Sequence, residues 1–181
     1  MSREIKEFIK EIISIVVIAF ILAMILRTFV IEGRIIPTGS MLPTIQLKDR
    51  VMVNKFIYRF KDVQRGDIVV FDPPEALQTN QDYIKRVIGL PGDQVEMKNG
   101  KVYINDRPLK EPYLAEALDY EYGPVEVPEG CLLVLGDNRN HSFDSHYWNA
   151  WLTQDRLKGK AFLTYWPYNH IKLLQREVSY E

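Results

Sequence analysis

The chain has a single cysteine, Cys131, in 181 residues. No disulfide can close within it, so a disulfide-stapled scaffold is excluded. Cys131 lies in Gly130-Cys131-Leu132-Leu133-Val134-Leu135, an apolar setting that suits a buried structural thiol better than a reactive one. An excess of one charge is also missing. Lys plus Arg number 23 and Asp plus Glu 24. Without a basic surface, nucleic acid is not an expected partner. There is no internal repeat, no low-complexity tract and no Gly-x-Ser-x-Gly elbow of the kind that presents a hydrolase serine on a strand-turn-helix.

What the chain does have is one long apolar run. Residues 12–26 carry no charge, and apolar character extends to Ile31, interrupted only by Arg27. With Phe8 and Ile9 ahead of it, the stretch approaches the roughly 20 residues that cross a bilayer as a helix. Arg27 can snorkel to the interface. A cleaved leader would need a small-x-small site, and none stands between Leu26 and Arg34. A core helix would need a polar face, and apolar residues occur on every face. The expected organisation is a tail at residues 1–11, a transmembrane anchor at 12–31 and a folded domain at 32–181. The Lys/Arg bias across the run is slight, with Arg3, Lys6 and Lys10 before it and Arg27 and Arg34 after it.

Beyond residue 31 the apolar period becomes two. Residues 50–56, 67–71, 83–88, 131–135 and 160–166 read as strands. Residues 94–98 and 101–104 flank Asn99-Gly100, a strong hairpin signal. Only residues 151–157 hint at a helical period. Residues 73–82 and 111–128 are polar and turn-rich, and read as surface loops. The fold class is mostly β, an antiparallel domain behind one N-terminal helix.

Lys85 sits in Tyr83-Ile84-Lys85-Arg86-Val87-Ile88-Gly89, a half-buried strand. A desolvated lysine can lose its proton and serve as a base, and a serine needs a base to become a nucleophile. Ser40 stands between two prolines in Pro37-Thr38-Gly39-Ser40-Met41-Leu42-Pro43-Thr44. Alone, Ser40 reads as a turn serine, Lys85 as a strand-edge lysine, and the polar stretch from Gly136 to Ser145 as a capped loop. Their order along one chain changes the weight. The anchor, the Ser40 segment, Arg65-Gly66-Asp67-Ile68-Val69-Val70-Phe71, the stretch from Asp82 to Asp93 and Gly136-Asp137-Asn138-Arg139 with Ser142, Asp144 and Ser145 follow one another. This arrangement closely resembles the type I signal peptidases in their Gram-positive, single-anchor form.

The resemblance implies a membrane-bound serine endopeptidase of antiparallel sheets that removes signal peptides from exported preproteins. It would be a single-pass protein of the cell membrane, with the lipid bilayer as a partner, its catalytic domain extracytoplasmic, and a monomer. It implies Ser40 as nucleophile and Lys85 as general base. Ser142 would orient the lysine amine, and the Ser40 N–H with the Thr38 hydroxyl would form the oxyanion hole. Asp137, Asn138, Arg139, Asp144 and His146 would form a supporting polar cluster. Ile36, Met41, Ile45 and Tyr83 would surround the residue before the cut, with Val70 and Ile84 near the third, which implies Ala-x-Ala specificity. No metal and no cofactor is implied. One position departs: His146 stands where the family usually has an arginine paired to the aspartate.

Three rivals remain open. A Ser-His-Asp triad could draw on His141, His146 or His170. A self-cleaving repressor uses related Ser/Lys chemistry, but no DNA-binding region is visible. A membrane-tethered β-module that binds secreted proteins would need neither Ser40 nor Lys85.

Overall fold

The computed structural model describes residues 3–25 and 30–180. Helix α1 covers Arg3–Ile25. Thirteen strands follow among the described residues: β1 (Ile31–Ile35), β2 (Arg50–Asn54), β3 (Ile68–Phe71), β4 (Tyr83–Gly89), β5 (Gln94–Lys98), β6 (Lys101–Ile104), β7 (Arg107–Lys110), β8 (Tyr122–Glu126), β9 (Cys131–Leu135), β10 (Leu152–Thr153), β11 (Leu157–Trp166), β12 (Lys172–Leu173) and β13 (Ser179–Tyr180). Helix α2, Ser145–Trp148, lies between β9 and β10.

All pairings are antiparallel. One sheet runs β1-β2-β11-β3-β4-β9-β10, with β12 added to β11; the other runs β13-β7-β6-β5-β8. The β5–β6 hairpin turns on Asn99 and Gly100 at φ 51° and 75°, the left-handed pair that a two-residue turn requires. Val95, Met97, Val102 and Ile104 are buried on one face of that hairpin. They pack with Ile88, Leu133 and Leu135 of β4 and β9, which joins the two sheets.

β3 and β4 lie in the middle of the larger sheet and are covered on both faces. Val70 and Ile84, cross-strand partners, pack with Ile36, Met41, Ile45, Val51 and Val53. Val69 and Val87 face a different cluster with Phe71, Leu132, Val134, Trp148 and Leu152. Burial on both sides explains why these strands read as continuous apolar runs rather than clean alternation.

Several expectations are corrected. Residues 111–128 are not merely a surface loop: Tyr113, Leu118 and Val127 are buried, and Tyr122–Glu126 pairs with β5 as β8. The helical hint at residues 151–157 resolves into β10, where Leu152 pairs with Leu132, and a single 3₁₀ turn. Pairing with β9 overrides a weak local preference. Ile31, the last residue of the expected anchor, opens β1, while Leu26 and Arg27 lie outside the described residues. Among the described residues no helix is long and apolar enough to cross a membrane.

Asp67 ties three parts of the chain together. Its carboxylate accepts Lys160 Nζ and Arg176 Nε, each at 2.6 Å, and Tyr58 Oη at 3.2 Å. Burial alone would raise this carboxyl, but Lys160 and Arg176 outweigh it and hold it below its ordinary value. A carboxyl depressed by folding stabilises the fold above its unfolded value, and that contribution fades as pH falls through the folded value. Asp67→Asn should therefore cost about 2 kcal/mol at neutral pH, read as a lower denaturant midpoint. The gap to the parent should close in acid. Equal midpoints at neutral pH would reject this account.

Candidate active site

Ser40 lies in the connection between β1 and β2, and backbone hydrogen bonds clamp that connection. Ile36 N–H donates to Asp49 O, Lys48 N–H to Ile36 O, and Leu42 N–H to Gly39 O. Met41 and Ile45 plug its underside into the core, fully buried. The apolar residues flanking the serine thus hold it in place from below.

Lys85 stands on β4 opposite Val69 of β3. Its Nζ donates to Ser40 Oγ at 2.7 Å, and both residues are buried. Burial pushes the amine down to about 8, against Asp144 and Asp137, which hold it up. Stripping water from an ammonium disfavours its charged form. Among the described residues, no histidine nitrogen bonds Ser40. His170 Nδ1 pairs with Asp49 at 2.7 Å, His146 Nδ1 with Asp144 at 2.6 Å, and exposed His141 borders the cleft.

The loop after β9 closes the site from the other side. Asn138 N–H donates to Ser40 O at 3.0 Å, and its Nδ2 donates to Gly39 O at 3.1 Å. Gly136 N–H donates to Asp144 Oδ2 at 2.9 Å. A Cβ on Gly136 would come within 2.2 Å of Ser142 Oγ and 2.4 Å of Ser40 O, so only glycine lets the loop approach the serine this closely. Ser142 Oγ is buried beside it with no hydrogen-bond partner. Thr38 Oγ1 is 3.4 Å from Ser40 Oγ, on the exposed side.

Behind this loop lies a buried charge network. Arg86 grips Asp137 with two bonds, Nε to Oδ1 at 2.8 Å and Nη2 to Oδ2 at 2.7 Å. Arg139 grips Glu111 the same way, at 2.9 and 2.6 Å. Tyr113 lies under both, 3.8 Å from the Arg86 guanidinium and 3.2 Å from Arg139 Nη2. Burial alone would raise Glu111, but Arg139 holds its carboxyl down. The His146 ring stacks on Tyr120 with centroids 4.2 Å apart. Glu111, Tyr113 and Tyr120 were not among the expected site residues. Their only signal is two aromatics and an acid in a segment that otherwise reads as a loop.

Ser40 and Lys85 open onto a cleft of about 510 Å³ lined also by Thr38, Tyr83, Ile84 and Asn138 among others. A second hollow of about 500 Å³ shares Pro37, Gln81, Asp82, Tyr83 and Ile84 with it and adds Ile36 and Val70. The two make one groove between β1 and the start of β4. Arg34 and Asp82 face each other in the second hollow, paired at 2.8 Å. Of the expected substrate-wall residues, Ile36, Val70, Tyr83 and Ile84 border the groove, whereas Met41 and Ile45 do not.

A serine hydroxyl bonded to a buried amine, open to a groove on one side, has the parts of a serine hydrolase. The comparisons refine that class. The family described as signal peptidase, peptidase S26, matches residues 9–166. "Probable signal peptidase I-2" of Synechocystis is 49% identical over 91% of this chain and 77% of its own. "Signal peptidase I S" of Bacillus subtilis is 36% identical over 92% of this chain and 94% of its own. The solved signal peptidase I of Enterococcus faecalis V583 is 35% identical, covering 55% of this chain and 97% of its own at a TM-score of 0.49. The chain belongs to the peptidase S26 signal peptidase family and is a serine endopeptidase.

A buried lysine has a stability consequence. The folded amine holds its proton less tightly than the unfolded one, so the burial penalty is complete below about 8 and gone above the ordinary 10.5. Lys85→Met should melt higher than the parent at neutral pH, by up to about 3 kcal/mol of stability. That advantage should shrink as pH climbs toward 10.5. An advantage that does not change with pH would mean the amine carries no such penalty.

Proposed function

We propose that this protein is a membrane-anchored endopeptidase that cleaves signal peptides from exported preproteins with Ser40 as nucleophile and Lys85 as general base. The observation that carries the reading is the 2.7 Å bond from Lys85 Nζ to Ser40 Oγ in a buried setting. The neutral amine takes the hydroxyl proton as Ser40 Oγ attacks the scissile carbonyl. The ammonium returns that proton to the departing amine, leaving an ester on Ser40. Water, deprotonated by the same amine, then attacks the ester; the C–Oγ bond breaks, the ammonium returns its proton to Ser40 Oγ, and the acid is freed.

The Ser40 N–H and the Thr38 hydroxyl receive the developing oxyanion; the closeness of Thr38 Oγ1 to the reacting oxygen supports this role. Ser142 orients the amine; its hydroxyl is buried without a hydrogen-bond partner and so is available for that role. An extended substrate adds as a strand along the groove between β1 and β4. The apolar wall of Ile36, Val70 and Ile84 suits small side chains at the first and third positions before the cut.

The anchor begins at Ile12, within helix α1, where the charged residues of its first turns end. Ile15, Val16, Val17 and Ile18 are all exposed, and four consecutive residues cover a full turn. A helix apolar on every face belongs in lipid. Glu32 onward then lies outside the cytoplasmic membrane, with the short tail on the cytoplasmic side.

The test is cleavage of a preprotein by the full chain in lipid vesicles, with folding checked for each variant. Ser40→Ala and Lys85→Ala should each abolish turnover while folding normally. His141→Ala, His146→Ala and His170→Ala should keep it. kcat/KM should rise with pH through about 8, as a base that must first lose its proton requires. Leucine in place of alanine at either substrate position should lower kcat/KM by roughly 100-fold. Activity that survives in Lys85→Ala but dies in a folded histidine variant would make the triad the better reading.

A further inference from the structure

Arg86 follows Lys85 directly and is fully buried. Asp137 occupies two of its nitrogens. The third, Nη1, is aimed at three carbonyls: Gly66 O at 3.1 Å, Gln175 O at 3.0 Å and Arg176 O at 3.0 Å. Two of these come from a stretch beyond residue 166, where the family match stops. The side chains of Gln175 and Arg176 are exposed, and the backbone does the work.

This stretch is fastened at several points. β12 pairs with β11 of the larger sheet, and β13 pairs with β7 of the smaller one. Leu174 is buried in the cluster of Ile36, Met41, Ile45 and Ile84. Arg176 Nε binds Asp67. The Tyr180 ring lies under Arg107 at 4.5 Å and Arg65 at 5.9 Å. Residues 172–180 therefore form a strap across both sheets, with its middle pressed on the guanidinium.

We propose that this strap is a positioning element of the active site, fixing Arg86 through the carbonyls of Gln175 and Arg176, and through Asp137 and Asn138 fixing the backbone of Ser40. The proposal rests on the reading of Ser40 and Lys85 as the reacting pair. The chain of contacts is continuous. The carbonyls hold Arg86, Arg86 holds Asp137, and the neighbouring Asn138 holds Ser40 O and Gly39 O. A buried guanidinium stripped of two acceptors must move or admit water. Either response shifts Asp137 and the loop that carries Asn138.

The charges around the amine give a second readout. Lys85 faces Ser40 from the β1–β2 connection, the Tyr83 ring at 5.7 Å on its own strand, and Asp137 and Asp144 from the loop after β9. Asp137 is neutralised by Arg86, with Arg139, Glu111 and Tyr113 packed behind. Asp144 is engaged by Gly136 N–H and His146. An Arg86 that withdraws leaves the Asp137 carboxylate bare, and a bare carboxylate holds the lysine proton more tightly.

The experiment compares the parent, a chain lacking residues 175–181, Arg86→Lys, and the two changes combined, in lipid vesicles with a preprotein substrate. Melting curves establish that each is folded at the assay temperature. Loss of the strap should lower kcat about tenfold or more, as a small misplacement of a nucleophile does, with KM nearly unchanged. The acidic limb of the rate profile should move to higher pH. Lysine cannot bridge Asp137 and the carbonyls together, so Arg86→Lys should show the same pattern, and the combined chain should be no slower than the slower single change. Parental kcat in the shortened chain, or multiplying effects in the combined one, would overturn the proposal. Should Arg86→Lys fail to fold, the kcat and pH profile of the shortened chain decide alone. Should the parent show no Ser40-dependent cleavage, the functional reading is what fails. The strap is then judged by the titration of the Lys85 amine in NMR spectra. A midpoint raised by the truncation supports it, and an unmoved one rejects it.

Discussion

Two cations stand side by side on one strand, and the fold treats them in opposite ways. Arg86 is given a carboxylate and three carbonyls. Lys85 is given one hydroxyl and no acid in contact. Successive residues on a strand point to opposite faces, so the two environments can differ completely within one step of chain. Burial and the nearby Arg139 oppose the charge of Arg86, but Asp137, gripping it directly, outweighs them, and Arg86 stays charged. Lys85 is pushed toward neutrality because burial penalises its ammonium and its carboxylates, Asp137 and Asp144, are engaged elsewhere. An amine brought this close to neutrality depends on that division of partners.

The loop after β9 is where the two environments meet. Asp137 faces the structural cation, Asn138 faces the serine backbone, and Gly136 lets the loop come close enough to do both. Arg139 then ties the same loop to Glu111. A serine held by its carbonyl and by buried neighbours has little freedom left in its backbone. Under the proposed role of Ser40, preorganisation of this kind would let the reaction proceed without reordering the site at each turnover. The cost is a buried amine whose charged form destabilises the fold at neutral pH.

What the sequence made legible follows from range. Both strands of the β5–β6 hairpin and β9 were legible to the residue, because period-two patterning and Asn99-Gly100 are local signals. Ser40 and Lys85 were legible only through the order of motifs, since nothing local says that residues 45 apart will touch. β1 was hidden because its first residue continues the apolar run. Tyr113, Glu111 and Tyr120 were hidden for a different reason. Their burial is conferred by Arg86, Arg139 and His146, which arrive from elsewhere in the chain. The strap was least legible, because it acts through backbone carbonyls that every residue possesses.

His146 shows how a departure from a family pattern can be absorbed. The resemblance places an arginine at this position to pair with Asp144. The imidazole makes that pair at 2.6 Å. It then lies flat on Tyr120, with the rings 5° from parallel, and touches Tyr147 at 4.1 Å between centroids. The aromatic walls fit a planar ring and leave its second nitrogen buried without a partner. A guanidinium has five donors to satisfy, and an imidazole has at most two. Histidine therefore suits a pocket with one carboxylate and aromatic walls, and Asp144 keeps its other oxygen for Gly136, the residue on which the approach to Ser40 depends.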